Sequence, residues 1–241
     1  MIEITEVLFF LVILFGVFVQ SLVGFGGTLI TMPLGILLMG PDVTKPVMTF
    51  VAWITGVTVL ITDYKYINWK ELGKMIAVML PCVLAGLWVM GKVQMNFLLI
   101  IYGVVIVCIG VKKLFFPAKR TPSKAVQNTA LGLAGIMQGL FVSGGSFLAV
   151  YAVERLPEKR EFRATVNAVW AILNIVMIIT YFTGGKVDRH MLLMGAIAIV
   201  PTVVGIWLGG VFAKKVRQAT FLKLIYLILI VSGAVLLISN L

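Results

Sequence analysis

Apolar residues run along this chain in eight long stretches, at about 7–39, 44–62, 71–91, 96–116, 125–153, 161–183, 190–213 and 219–239, separated by short polar segments. Most approach the ~20 residues that a helix needs to cross a hydrocarbon layer of roughly 30 Å, so the pattern predicts membrane-spanning helices. The first stretch is too long for one untilted span, at about 50 Å as a helix. It is interrupted at Gly24-Phe25-Gly26-Gly27-Thr28, and the fifth stretch is interrupted at Ser143-Gly144-Gly145-Ser146. Gln20-Ser21-Leu22 leads into the first break and Gln138-Gly139-Leu140 into the second, so one shift of 118 positions superimposes both. At that shift Lys45 falls on Arg163 and Thr49 on Asn167. After small length changes Pro81 and Gly86-Leu87-Trp88 match Pro201 and Gly205-Ile206-Trp207, and Phe97 and Tyr102 match Phe221 and Tyr226.

The expected fold is therefore an all-α polytopic membrane protein of two transmembrane repeats, 1–116 and 125–241, joined by a basic cytoplasmic linker, 117–124. Each repeat holds one Gly-broken, re-entrant-like segment and three transmembrane helices. Charge decides how the broken segments run. If all eight stretches cross once, the 20 Lys and Arg residues divide about evenly between the two faces, against the positive-inside rule. If each broken segment returns to the face it entered from, only Lys45, Lys92, Lys186 and Arg189 fall outside. That arrangement makes the repeats inverted and places both termini on the extracytoplasmic side.

Composition agrees with the pattern. The chain of 241 residues is 61% hydrophobic and 12% charged, with a mean hydropathy of +1.11, which excludes a water-soluble core. The first stretch lacks a basic leader and a small-residue cleavage site, so it is not expected to be removed as a signal peptide. The net charge of +11 comes from basic residues clustered in loops, where they set orientation and meet anionic headgroups, so no nucleic-acid partner is expected. Cys82 and Cys108 sit in apolar stretches without a metal-ligand spacing and read as buried small hydrophobes. His190 reads as an interfacial loop residue beside Asp188 and Arg189. No Walker loop, metal-ligating cluster or catalytic constellation is present, so neither an enzyme nor a cofactor is expected. Asp and Glu are missing from the span centres, leaving no candidate for a buried proton relay.

The chemistry concentrates at the breaks. Gly allows a sharp turn at φ > 0 and a close approach of ligand to backbone. A helix restarting inside a membrane presents free N–H groups and a positive dipole end, which together favour an anion. Paired interruptions in repeated halves point to a transporter's binding site. The candidate binding residues are thus Gly24, Phe25, Gly26, Gly27 and Thr28 at the first break and Ser143, Gly144, Gly145 and Ser146 at the second. Gln20, Gln138, Thr49, Asn167 and Asn174 are uncharged polar groups that line the same route or, in the plainer alternative, bond between helices. Gly135-xxx-Gly139 and Gly205-xxx-Gly209 read as close helix packing. Lys45 and Arg163 stand at matched helix starts, as anion attractors or as snorkelling anchors. The expected partners are a small anion and the lipid bilayer, and a homo-oligomer is compatible with the pattern.

This ordered set resembles the TauE/SafE sulfite exporters and related anion permeases. Gly24-Phe25-Gly26-Gly27-Thr28 followed by Pro33 is similar to that family's first Gly-rich motif, and Gly144-Gly145-Ser146 to its second. A short loop before an Ala/Thr-rich helix (Pro41 to Thr49), the Ile67-Asn68-Trp69 entry, and the Gly86 and Gly205 helices also resemble it. The resemblance covers nearly the whole chain and implies export of sulfite, sulfonates or other sulfur-containing acids across the bacterial inner membrane. Thr28 and Ser146 stand where the family often has a further Gly, and Val142-Ser143 where Gly often precedes. Rival classes are an anion channel, a membrane thiol–disulfide carrier and a non-transporting scaffold. The carrier of thiols wants repeat-related cysteines, whereas Pro201 is followed by Thr202 and Cys108 maps onto Ser232. A scaffold does not explain symmetrical breaks.

Overall fold

The computed structural model describes residues 4–89, 95–115, 123–185 and 187–238. Lys92, Lys186 and the linker residues 117–122 lie outside the described residues, as does the side chain of Phe97. Nine α-helices and one 3-10 turn, Tyr64–Tyr66, make up the described chain, with no strand among them. Helices α1 (Ile4–Val23) and α2 (Gly27–Thr62) are followed by α3 (Trp69–Val89) and α4 (Met95–Phe115). The second half has α5 (Lys124–Phe141), α6 (Gly145–Arg155), α7 (Lys159–Thr183), α8 (Arg189–Lys215) and α9 (Gln218–Ile238). Helices α1, α2, α3, α7, α8 and α9 are long and apolar enough to cross a membrane.

Local chemistry sets the helix ends. Ser123 caps α5 by accepting from the Val126 N–H at 3.4 Å, and Asp188 caps α8 by accepting from Met191 at 2.7 Å. Helix α2 breaks at Gly40, whose φ of 75° and ψ of 164° suit only Gly, into arms 27–39 and 41–62. The loop expected from Pro41 to Thr49 is therefore confined to Gly40. Pro41 opens the second arm, where its missing N–H would have had no helical partner. His190 likewise lies in the first turn of α8 rather than in a loop.

Each broken segment folds back on itself. An added Cβ on Gly27 would meet the Gly16 carbonyl, and one on Gly35 would meet the Phe9 ring, so the arm 27–39 runs antiparallel to α1. In the second half Gly144 lies against Ala134, while Arg155 Nε donates to Gln127 Oε1 at 2.8 Å, which makes α6 antiparallel to α5. At the second break α5 has 18 residues and α6 has 11, so the entering arm is about 27 Å long and the returning one about 16 Å.

The packing of the two halves is reciprocal. Gly205 and Gly209 of α8 rest on α1, at Leu14, Val17 and Phe18, and the Ser21 hydroxyl donates to the Ile206 carbonyl at 3.1 Å. Gly135 and Gly139 of α5 rest in the same way on Met79, Cys82 and Val83 of α3. Both pairs run parallel, as expected of small residues that let backbones approach. Matched helices run antiparallel: Gly103 and Gly110 of α4 meet Gly233 and Tyr226 of α9, while Gly56 of α2 meets Asn167 and Ala171 of α7 and Asp63, just past the end of α2, pairs with Arg163 near the start of α7. The start of α1 and the end of α9 consequently share one end of the bundle.

Ion pairs and other polar contacts gather at the opposite end. The ion pairs Lys74–Glu71, Lys113–Glu154 and Arg163–Asp63 lie there. Asn68 Nδ2 donates to Glu161 Oε1 at 2.8 Å, and the Tyr151 hydroxyl to Glu71 Oε2 at 2.7 Å. The lateral surface is apolar, with Leu37, Trp88 and Trp207 turned outward. Cys82 is half-buried and Cys108 exposed, which corrects the expectation that both are buried. An apolar side chain on a bundle in lipid gains little from facing inward, so hydrophobicity alone does not assign its face.

Candidate functional site

The two breaks share a backbone device. Gly24 ends α1 at φ 99°, with its N–H bonded to the Gln20 carbonyl at 2.6 Å. Val142 ends α5 at φ 56°, with its N–H bonded to the Gln138 carbonyl at 2.9 Å. These are left-handed helix caps at positions 118 apart. The carbonyls released at the end of α1 are taken up by α7: Trp170 Nε1 donates to Gly24 at 3.0 Å and Arg163 to Ser21 at 2.9 Å. At the second break the buried Tyr102 hydroxyl donates to the Ser143 carbonyl, its ring stacked on Phe147 at 5.1 Å.

The chain then restarts as helix at Gly27 and Gly145, one residue earlier than Thr28 and Ser146. Neither N-cap, Gly26 or Gly144, offers a side chain, so the first N–H groups of α2 and α6 have no acceptor within their helices. The two restarts meet. A Cβ on Gly145 would stand 3.2 Å from Phe25 Cβ and 3.6 Å from the Gly26 amide nitrogen. Between them lies a small cavity bounded by Gln20, Gly26, Thr28, Gln138 and Asn174, with Trp170 and Ala52 behind. Its volume is about 10 Å³, room for about one water. No charged residue lines it among the described residues.

The profile of the family described as "Sulfite exporter TauE/SafE" matches residues 8–236. The chain belongs to that family. It is also similar to "Probable inner membrane transporter protein TsaS" of Comamonas testosteroni, at 26% identity over 174 residues, which cover 71% of this chain and 73% of that protein. No solved structure matches. The chain is thus a multi-pass membrane transporter of the TauE/SafE family.

In this TauE/SafE chain the candidate residues sort into liners and braces. Gln20, Phe25, Gly26, Thr28, Gln138, Gly145 and Asn174 border the cavity. Gln20 and Thr28 border the cavity, and their side chains form no hydrogen bond among the described residues. Gln138 is half brace: its Oε1 accepts the Gly144 N–H at 3.1 Å and its Nε2 donates to Asn174 Oδ1 at 2.9 Å. Gly24, Gly27, Ser143 and Gly144 shape the turns without bordering the cavity. Thr49 bonds back to the Lys45 carbonyl at 2.8 Å. Asn167 Nδ2 bonds to the Arg163 carbonyl at 2.8 Å, while its Oδ1 and the Ser146 hydroxyl are buried with no partner among the described residues. Arg163 is no snorkelling anchor, since it joins α7 to Ser21 and Asp63.

Two liners lay outside the candidate set. Ala52 and Trp170 are 118 positions apart, so the repeat that matched the breaks also pairs them. Trp170 precedes Asn174 by four residues and shares its helix face, which is the signal that could have found it. Glu71 was also missed: it is buried in the first turn of α3, held by Tyr151 and Lys74. It stands between Lys70 and Leu72 at the very edge of an apolar stretch, where a charged residue ordinarily reads as exposed.

Proposed function

We propose that this transporter exports small sulfur-containing oxyanions, such as sulfite or sulfonates, from the cytoplasm across a bacterial inner membrane, holding them between the two Gly breaks. It works as two inverted repeats, 1–116 and 125–241, with both termini outside, and does no chemistry on its cargo. The observation that carries the proposal is the meeting of Gly145 with Phe25 and the Gly26 amide, which brings two uncapped helix starts to one cavity. Amide dipoles, the Gln20 and Asn174 amides and the Thr28 hydroxyl would all donate toward an oxyanion there. The antiparallel contacts of α2 with α7 and of α4 with α9 support the inverted repeat. Outward movement of one negative charge from a negative interior gains ~2.3 kcal/mol per 100 mV, so export needs no buried carboxylate relay. A sulfite ion has four heavy atoms, more than the closed cavity holds. That favours a carrier, which opens to load, over a channel with a standing path.

The test is counterflow of labelled sulfite in proteoliposomes, with thiosulfate, sulfonates and carboxylates as competitors. Gly145→Val projects a side chain into the cavity against Phe25, and Gln20→Leu removes a donor that bonds nothing else. Both should insert normally and lose at least tenfold in rate, the scale of about 1.4 kcal/mol. Gly27 is a poor probe, because its Cβ would strike the Gly16 carbonyl and disturb packing. Wild-type counterflow by both variants would remove the breaks from the transport route.

A further inference from the structure

We propose that a basic recess beside the first break is an anion-recruiting vestibule that loads the central cavity from one face only. This rests on the transport reading above. The recess holds about 250 Å³ and is lined by Lys159, Arg160, Arg163 and Lys214 with one carboxylate, Asp63, beside Tyr66. Leu22 of α1 forms its floor, two residues before Gly24.

Three of its four cations are held in place by hydrogen-bond partners. Lys159 Nζ donates to the Ala213 carbonyl at 3.1 Å and to the Val216 carbonyl at the end of α8. Arg160 donates to the Tyr66 hydroxyl at 2.8 Å and lies over its ring. Arg163 spans the recess and the break, bonded to the Ser21 carbonyl at 2.9 Å on one side and paired with Asp63 on the other. Carbonyl partners leave the positive charge of Lys159 uncancelled, and Asp63 neutralises one cation of four. A concave site lined by one sign of charge concentrates counter-ions and speeds their arrival.

The matched position in the first half lacks this character. At the shift of 118, Lys159, Arg160 and Arg163 correspond to Pro41, Asp42 and Lys45. Three recess-lining cations of α7 thus match one Pro, one carboxylate and one cation of the second α2 arm, and the carboxylates Glu158 and Glu161 at the start of α7 do not line the recess. The central cavity is neutral, so this difference between mouths lets the protein collect anions at the α7 end and release them at the other. An arriving oxyanion would compete with Asp63 for Arg163, loosening the link that ties α7 to the end of α1.

Sulfite counterflow in inside-out and right-side-out membrane vesicles tests the vestibule. With sulfite presented at the α7 end, the double variant Arg160→Gln/Lys214→Gln should raise the half-saturating concentration on the order of tenfold. With sulfite presented at the opposite end it should not change, and Lys215→Gln, beside the recess but outside its lining, should match wild type at both. An unchanged value, or an equal rise on both sides, overturns the proposal while leaving transport intact. Absence of sulfite counterflow in wild type instead overturns the transport reading. The vestibule is then decided by calorimetry of sulfite binding in phosphatidylcholine nanodiscs, where the double variant must bind about tenfold more weakly. A lipid phosphate would satisfy the same recess chemistry. If phosphatidylglycerol in the nanodiscs removes the difference between wild type and variant, the recess is a headgroup site and recruitment of cargo is overturned.

Discussion

Gly24 and Val142 do the same job in the two halves, closing an entering helix in the left-handed region, yet one is Gly and the other β-branched. The neighbours explain it. A Cβ on Gly24 would stand 3.3 Å from Arg163 Cα and 3.6 Å from Asn167 Nδ2, because α7 crosses there to take up the freed carbonyls. Val142 already carries its Cβ in the left-handed region, and packing of its buried side chain offsets the ~1–2 kcal/mol that such a β-carbon costs. Gly185 is also left-handed, at φ 63°, but nothing lies within 4 Å of its added Cβ. Gly24→Ala should therefore lower stability by about 2 kcal/mol or more, from strain and crowding together, and Gly185→Ala by only about 1 kcal/mol, from strain alone. Thermal unfolding in detergent micelles measures both. Equal losses would mean that close approach of α7 is not what holds Gly24.

Among the helices, glycine marks where backbones touch. A Cβ on Gly139 would lie 2.3 Å from the Val83 carbonyl and one on Gly209 2.7 Å from the Phe18 carbonyl, whereas Gly210 has nothing within 4 Å. Gly139→Ala and Gly209→Ala should each lose about 1–3 kcal/mol by prying parallel helices apart. Gly210→Ala should hold or gain slightly, because Ala favours helix. A thermal shift that treats all three alike would remove the reciprocal α1–α8 and α3–α5 contacts as the basis of assembly. These contacts were legible in sequence as small-residue spacings, and so were the breaks, since only Gly repeats there at one fixed shift. The side-chain roles were not. Gln20 and Gln138 match at that shift, yet Gln20 lines the cavity unbonded while Gln138 braces α6, because the neighbouring helix differs. Arg163 could not be told from Lys45 until Asp63 and the Ser21 carbonyl were placed beside it. A linear repeat specifies position along the chain and helix face, but hydrogen-bond partners come from other elements.

At the scale of the molecule, the start of α1 and the end of α9 share one end, and the ion pairs Lys74–Glu71, Lys113–Glu154 and Arg163–Asp63 share the other. Basic residues left on the cytoplasmic face orient a multi-pass chain during insertion, so the end rich in Lys and Arg should face the cytoplasm. His190, exposed at the start of α8, and Thr220, exposed at the start of α9, then lie on opposite sides of the membrane. Because α8 has 27 residues, about 40 Å of helix, it separates them by a full crossing. In a background carrying Cys82→Ser and Cys108→Ser, a membrane-impermeant maleimide should label His190→Cys in intact spheroplasts. It should label Thr220→Cys only after lysis. The reverse pattern would turn the molecule over, placing the basic recess outside the cell, where it would gather anions for uptake rather than export.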